Sequence, residues 1–188
     1  MIQKLNTYFH PPDFTVNMES NNVNIDKKDL KILNHVESDG KENIEALAED
    51  LELSVSTIYY RIDRLKQQGI INDVTVDVNP LALGFDMVMI TQVFVIHEPG
   101  YAENIGDSLG EIPGVQQVYY TMGNVDFVVI SRTRDRDDMN RIINDIVNID
   151  GVNETSSIFV MDEIKNTTNI TDSISGETLS EIVGSSEQ

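Results

Sequence analysis

The apolar residues of this chain change their spacing once, near Pro80 and Gly84, and that change divides the fold in two. Upstream the spacing is helical. Leu30, Leu33 and Val36, with Ile32 alongside, recur at the steps that line one face of a helix. Asp26 stands where an N-cap belongs, and the run stops at Gly40. A second short helix is expected from Asn43, with Ile44, Leu47, Ala48 and Leu51 on one side. Ser54 caps a third, in which Val55, Ile58, Ile62 and Leu65 recur at steps of three, four and three before Gly69 ends it. Ile70 to Val78 then reads as an extended, alternating stretch that stops at Asn79-Pro80.

Downstream, strands and helices alternate. Met87 to Ile96 is nearly all apolar, which suits a strand covered on both faces. Tyr101 to Leu109 reads as a helix, and Val115 to Met122 and Val125 to Ser131 as strands around a Gly123-Asn124 turn. Met139, Ile142, Ile143, Ile146 and Val147 form a helical face, and Thr155 to Met161 a last strand. The order predicts an α+β domain of the ferredoxin-like βαββαβ type. Ile112-Pro113-Gly114-Val115 and Ile149-Asp150-Gly151-Val152 occupy the same helix-to-strand corner in each half, where Gly supplies a positive φ. The expected organisation is a poorly ordered tail at 1–24, a helical domain at 25–73, a connection at 74–86, the α+β domain at 87–164 and a poorly ordered acidic tail at 165–188.

Composition narrows the chemistry. The absence of cysteine excludes disulfides, thiolate metal sites and a cysteine nucleophile, and no metal site or cofactor is expected. Residues 1–24 carry no signal-peptide core and no segment approaches the ~20 apolar residues of a membrane span, so a soluble, cytoplasmic chain with no membrane partner is expected. Against 32 acids stand 13 bases, a net charge of -19, which by itself argues against nucleic acid. It also matches the surface of a protein from a salt-loving source, where a screening length of about 3 Å in molar salt removes most self-repulsion.

The third helix nonetheless has the chemistry of a DNA-reading element. With its aliphatic positions committed to a core, Ser56, Thr57, Tyr60, Arg61 and Arg64 face outward. Hydroxyls near a helix N-terminus reach bases and phosphates, a tyrosine bonds phosphate, and arginines suit guanine or the backbone. Ser54 and Lys41 complete the expected set for double-stranded DNA. A plain solvated helix face is the competing reading. Over residues 26–73 the bases Lys27, Lys28, Lys31, Lys41, Arg61, Arg64 and Lys66 meet eleven acids, which gather at Glu42, Glu45, Glu49, Asp50 and Glu52. Binding by so acidic a module is expected to take up cations between protein and phosphates, against the usual counterion release.

Several stretches in order resemble one family: Ile25-Asp26-Lys27-Lys28-Asp29-Leu30-Lys31-Ile32-Leu33, Leu47-Ala48, Leu53-Ser54-Val55-Ser56-Thr57, Arg61-Ile62-Asp63-Arg64-Leu65, Gly69-Ile70-Ile71, Asn79-Pro80-Leu81-Ala82-Leu83-Gly84 and Gly123-Asn124-Val125-Asp126. Over residues 25–164 the chain is similar to the Lrp/AsnC, or leucine-responsive, regulators. The resemblance implies a winged helix-turn-helix, a RAM- or ACT-like ferredoxin domain, and a strand around Val74 to Val78 that pairs across a homodimer. It also implies dimers packed sheet to sheet and assembled into tetramers or octamers. An amino acid or related metabolite would sit at Thr121, Met122, Gly123, Asn124 and Asp126, with Asp126 on its ammonium. A hairpin turn with a side-chain cap is the alternative there. Two positions depart from the family pattern: Glu52 stands at a turn usually made by glycine, and Val125 replaces an aromatic.

No enzyme motif appears. His10, His35 and His97 are scattered, with no HExxH pair, phosphate loop or nucleophile elbow. The enzyme alternative is a tetrapyrrole (siroheme) decarboxylase, which resembles the same family and would use His97 beside Tyr119 or Tyr120. Arg132, Arg134, Arg136 and Arg141, interleaved with Asp135, Asp137 and Asp138, read as solvated ion pairs.

Overall fold

The computed structural model describes residues 25–40, 42–97 and 100–184. Lys41 and the expected tail at 1–24 therefore lie outside the described residues. The chain divides into two compact units, one made of residues up to Val76 together with those from Thr167 on, the other of Asp77–Asn166.

The first unit begins with α1 (Lys27–Asp39), whose start is fixed by a reciprocal cap: Asp29 N donates to Asp26 Oδ1 and Asp26 N to Asp29 Oδ2. Next come α2 (Ile44–Asp50) and α3 (Val55–Gln67), the latter capped by Ser54, whose Oγ accepts from Thr57 N. The apolar stripes foreseen from spacing meet in one core, with Ile32, Ile44, Ile58, Ile62 and Leu65 fully buried. Each such side chain contributes roughly 1.5–3 kcal/mol relative to exposure. Between α2 and α3, Glu52 carries the turn at φ 52. The left-handed geometry thus survives without the expected glycine. Beyond Gly69 the stretch from Ile70 to Val78 was expected as extended and alternating, but within one chain it forms no strand. A strand needs a ladder partner for its amides, and none of the described residues pairs with this stretch.

The C-terminal stretch differs from expectation more sharply. Residues 165–184 were read as part of a poorly ordered tail, yet α6 (Gly176–Gly184) forms and the segment packs on α1. Val183 is buried and Ile182 lies against the α1–α3 core. The Glu37 carboxylate accepts from Ile170 N, Thr171 N and Thr171 Oγ1 at 3.1, 2.9 and 2.5 Å, while Asn34 Nδ2 donates to Thr171 Oγ1 and Asp172 Oδ1. A polar segment with two apolar anchors and matched donors escapes a reading that counts only mean polarity.

In the second unit a four-stranded antiparallel sheet, ordered β2-β3-β1-β4, is built from β1 (Met87–Val95), β2 (Val115–Tyr120), β3 (Phe127–Thr133) and β4 (Val152–Phe159). With α4 (Tyr101–Gly110) and α5 (Arg136–Val147) this is the βαββαβ order read from the sequence. Both helices cover one face, burying Met89, Val93, Phe127, Val129, Leu109, Ile142 and Ile146. Gly114 and Gly151 sit at φ 98 and φ 92, and a Cβ on either would meet the other half's helix, at Ile142 and Ile105 respectively. Ile90, Phe94, Val128 and Ile130 lie on the opposite face and are only half-buried, while Tyr119 and Ile158 there are exposed. The described residues thus leave that face of β1 with less cover than expected, although Val88 on it is buried. Arg134 and Arg141 do pair with Asp138 in solvent, whereas Arg132 is buried, contrary to expectation. No helix among the described residues is long and apolar enough to cross a membrane.

A left-handed non-glycine residue costs about 1–2 kcal/mol, part of which glycine returns as unfolded-chain entropy. Glu52→Gly is expected to stabilise the first unit by about 0.5–1 kcal/mol, read as a raised thermal midpoint in calorimetry; an unchanged or lowered midpoint would show that the turn bears no strain.

Candidate nucleic-acid interface

The residues expected on DNA separate into two groups once α3 is seen in place. Ser54, Ser56 and Thr57 gather at its N-terminus, where Ser54 Oγ lies 2.8 Å from both Ser56 Oγ and Thr57 Oγ1. Tyr60 projects into solvent at 68% exposure. The arginines do not join this outward face. Arg61 Nη1 donates to Asp26 Oδ2 at 2.8 Å and to Asp29 Oδ1 at 2.7 Å, and Arg64 Nη2 to Asp29 Oδ2 at 2.5 Å. Asp29 is 0% exposed. Two guanidiniums thus neutralise one buried carboxylate and bolt α3 to the start of α1. Arg61 and Arg64, expected to face outward, are instead engaged within the unit, because a buried carboxylate holds its partners more firmly than solvent would.

Two lysines of the first unit also have partners. Lys28 Nζ donates to the Leu51 carbonyl at 2.7 Å, at the C-terminal end of α2, and Lys31 pairs with Asp50 at 3.0 Å. What α3 shows to solvent is Ser56, Tyr59, Tyr60, Asp63 and Gln67. Tyr59, Asp63 and Gln67 were missed by the sequence reading, although Ser56, Tyr60, Asp63 and Gln67 recur at helical steps of four, three and four. The exposed face is thus rich in hydroxyl, amide and carboxylate groups and poor in fixed positive charge.

The loop expected to hold an effector runs from Thr121 to Asp126, longer than the two-residue turn foreseen, since β2 ends at Tyr120 and β3 begins at Phe127. Thr121 N donates to the Asp126 carbonyl at 2.8 Å, and Thr121 Oγ1 to the Val125 carbonyl. Met122, Gly123 and Asn124 are exposed at its tip. Asp126 points away from it. Its Oδ2 accepts from Val95 N at 2.9 Å, and its Oδ1 pairs with His97 Nε2 at 2.6 Å. Each oxygen of the carboxylate expected to hold an effector ammonium thus has a partner within the chain. His97 stacks on Tyr101 at 4.8 Å, and the Tyr101 hydroxyl bonds that of Tyr120 at 2.7 Å. Burial, then the bond to Tyr120, pushes the Tyr101 hydroxyl above the ordinary tyrosine range.

Residues 25–72 match the profile of a winged helix-turn-helix DNA-binding domain, and residues 89–170 that of the Lrp/AsnC ligand binding domain. The HTH-type transcriptional regulator FL11 of Pyrococcus horikoshii is 32% identical over 148 residues, covering 79% of this chain and 97% of its own. The chain belongs to the Lrp/AsnC family. The regulator LysM of Saccharolobus solfataricus is 34% identical over 140 residues, covering 74% of this chain and 96% of its own. Among solved structures, Escherichia coli AsnC superposes with a TM-score of 0.70 at 26% identity, over 77% of this chain and 97% of that one. A Neisseria meningitidis transcriptional regulator in complex with L-methionine gives 0.72 at 24%, over 78% and 96%, and shows the same fold. This Lrp/AsnC protein is accordingly a helix-turn-helix transcriptional regulator and not an enzyme. The regulators FL11 and LysM lend no support to the decarboxylase alternative; His97, expected there beside Tyr119 or Tyr120, pairs with Asp126 and stacks on Tyr101.

Asp29→Ala strips both arginines of their shared partner and is expected to cost about 3–5 kcal/mol, measured by urea unfolding of the full chain. A loss under 1 kcal/mol would contradict the bolt. For Asp26, burial pulls the carboxyl upward, but the Arg61 guanidinium and the Asp29 amide outweigh it and hold the group below its ordinary value of 3.8. A depressed folded-state value contributes stability above pH 3.8 that disappears as pH falls through the folded value. Asp26→Asn should therefore weaken the acid-side dependence of unfolding while leaving the slope near neutral pH unchanged.

Proposed function

We propose that this regulator reads palindromic double-stranded DNA through α3 as a homodimer or a higher assembly, up to a tetramer or octamer, in the cytoplasm. The observation that carries the reading is the face of α3: Ser54, Ser56 and Tyr60 are exposed at its N-terminal half, with Thr57 half-buried beside them, while Arg61 and Arg64 bond Asp29 at the start of α1. Hydroxyls and a phenol contact phosphates and base edges, and a reading helix needs to be rigidly placed. Lys41 remains a candidate phosphate contact. Two features support dimerisation: the apolar sheet face around Ile90, Val128 and Ile130, which the described residues leave half-buried, and the stretch from Val74 to Val78, which alternates in sequence but forms no strand.

An amino acid or a related metabolite is proposed as the effector, held at the exposed loop by Thr121, Met122, Gly123 and Asn124. The methionine complex of the Neisseria relative supports the ligand class. With Asp126 committed to His97 and Val95, the ammonium would meet loop carbonyls instead. Thermal shifts with each amino acid in turn test this; an effector is refuted by a flat panel that also leaves DNA affinity unmoved.

Two outcomes are expected on DNA fragments selected by the full chain from a random pool. Asp63 can accept from a cytosine amino group, so Asp63→Ala should relax base preference at one position, by about 1–3 kcal/mol, while Tyr60→Ala weakens binding to all sequences alike. The salt slope of log K should also be shallow or inverted compared with the ordinary slope of about -0.9 per phosphate neutralised, because the arginines are internally neutralised. A steep conventional fall at low salt refutes that expectation.

A further inference from the structure

Three elements of the first unit leave a gap between them. Leu30, Lys31 and Asn34 fall on one stripe of α1, Leu47 and Asp50 lie one turn apart on α2, and Thr171 closes the gap from the C-terminal segment. Together they line a cleft of about 350 Å³. Pockets that hold small molecules run from about 300 to 1,000 Å³. The profile of the ligand binding domain ends at residue 170, so the wall that Thr171 supplies lies beyond it. That wall is fixed: Thr171 N and Oγ1 donate to Glu37 Oε2 at 2.9 and 2.5 Å, and Asn34 Nδ2 donates to Thr171 Oγ1 at 3.1 Å.

The lining is apolar at its base and charged at its rim. Leu47 is buried and Leu30 is half-buried against the same core. Lys31 Nζ and Asp50 Oδ2 stand 3.0 Å apart, with side chains 60% and 65% exposed. An ion pair so open to water is weakly held and separates by side-chain rotation at little cost. Asn34 Oδ1, without a partner among the described residues, is able to accept a hydrogen bond.

This lining offers one full positive charge, one full negative charge and an aliphatic surface. An anion on Lys31 would strand Asp50, and a cation on Asp50 would strand Lys31. A hydrocarbon would use the two leucines alone. A zwitterion with an aliphatic side chain answers all three, with its carboxylate on Lys31, its ammonium on Asp50 and Asn34 Oδ1, and its side chain on Leu30 and Leu47.

We propose that this cleft binds a free aliphatic amino acid, which gives the DNA-binding unit an effector site of its own. The cleft shares no residue with the loop from Thr121 to Asp126 and does not depend on that loop holding a ligand. A bound molecule joins α1, α2 and the C-terminal segment. Because α1 also carries Asp29, the partner of Arg61 and Arg64, occupancy stiffens the frame on which α3 is mounted.

The test is methyl-resolved magnetic resonance of the full chain, labelled at leucine and methionine methyls and titrated with unlabelled L-leucine. The Leu30 and Leu47 methyls are expected to shift saturably. Glycine, isocaproate and isoamylamine lack in turn the side chain, the ammonium and the carboxylate, and each should bind about tenfold or more weakly. Asp50→Asn and Lys31→Met, both at exposed rim positions, should weaken L-leucine to a similar degree while leaving the other methyl signals in place. Leu30 and Leu47 methyls that stay still overturn the site. Isocaproate or isoamylamine binding as well as leucine overturns it too, since the cleft would then be plain apolar surface. Shifts confined to the Met122 methyl would put the amino acid on the loop and overturn the cleft. The chain has no cysteine, so a spin label at Phe14→Cys is unique. If that label bleaches both leucine methyls without ligand, residues 1–24 fill the cleft and the proposal fails. It fails likewise if those methyls move on dilution alone, because a second copy would then be the occupant.

Discussion

The Asp29 carboxylate is the point on which the DNA-binding unit turns. It sits on the buried stripe of α1, completes the helix cap by accepting from Asp26 N, and neutralises Arg61 and Arg64 of α3. An ionised carboxylate with no exposure is tolerable only with its lone pairs filled, and here amide and guanidinium donors fill them. Apolar contacts alone would let α3 slide or rotate by a fraction of a turn. A carboxylate bridged by two arginines of fixed placement does not, which is how buried ion pairs contribute specificity of arrangement more than net stability.

That bridge determines what is left for the duplex. Once Arg61, Arg64, Lys28 and Lys31 are committed within the protein, the exposed side of α3 offers hydroxyls, tyrosines, Asp63 and Gln67. Nonspecific attraction to phosphate is correspondingly poor, in a chain whose net charge is -19. If α3 reads the duplex as proposed, discrimination comes from hydrogen bonds to base edges and from DNA shape, with charge contributing less than in a basic helix-turn-helix. Loss of nonspecific affinity also shortens residence on wrong sequences, so the specificity ratio need not suffer when affinity does.

Much of this was legible in the sequence. The three helices, the caps at Asp26 and Ser54, the βαββαβ order and the paired glycine corners all follow from spacing and from residues whose backbone preferences are strong. The partners of Arg61 and Arg64 were not read, yet the signal existed: Ile25, Asp29, Ile32 and Val36 fall on one stripe, and a carboxylate on an apolar stripe demands a cation from elsewhere in the fold. The fate of Asp126 had a weaker trace. Its partners, Val95 N and His97, are brought beside it only by the β1–β3 register. The docking of residues 167–184 was out of reach, because it depends on a match between Glu37 and three donors more than 130 residues away.

A single chain of this protein is unfinished at two places. One face of the sheet is covered, leaving Ile90, Phe94, Val128, Ile130 and Ile158 on the other, and the stretch from Asn72 to Asn79, alternating in sequence, forms no strand. Exposed apolar area costs roughly 25 cal/mol per Å², and unpaired extended backbone is a template for another strand. In the proposed homodimer a second copy satisfies both needs with one two-fold operation, since each surface is presented by both partners. The same symmetry would set two α3 helices in opposite senses, which is what a palindromic site requires. Assembly and recognition would then share a cause: the residues that cannot be completed within one chain impose the symmetry with which the DNA is read.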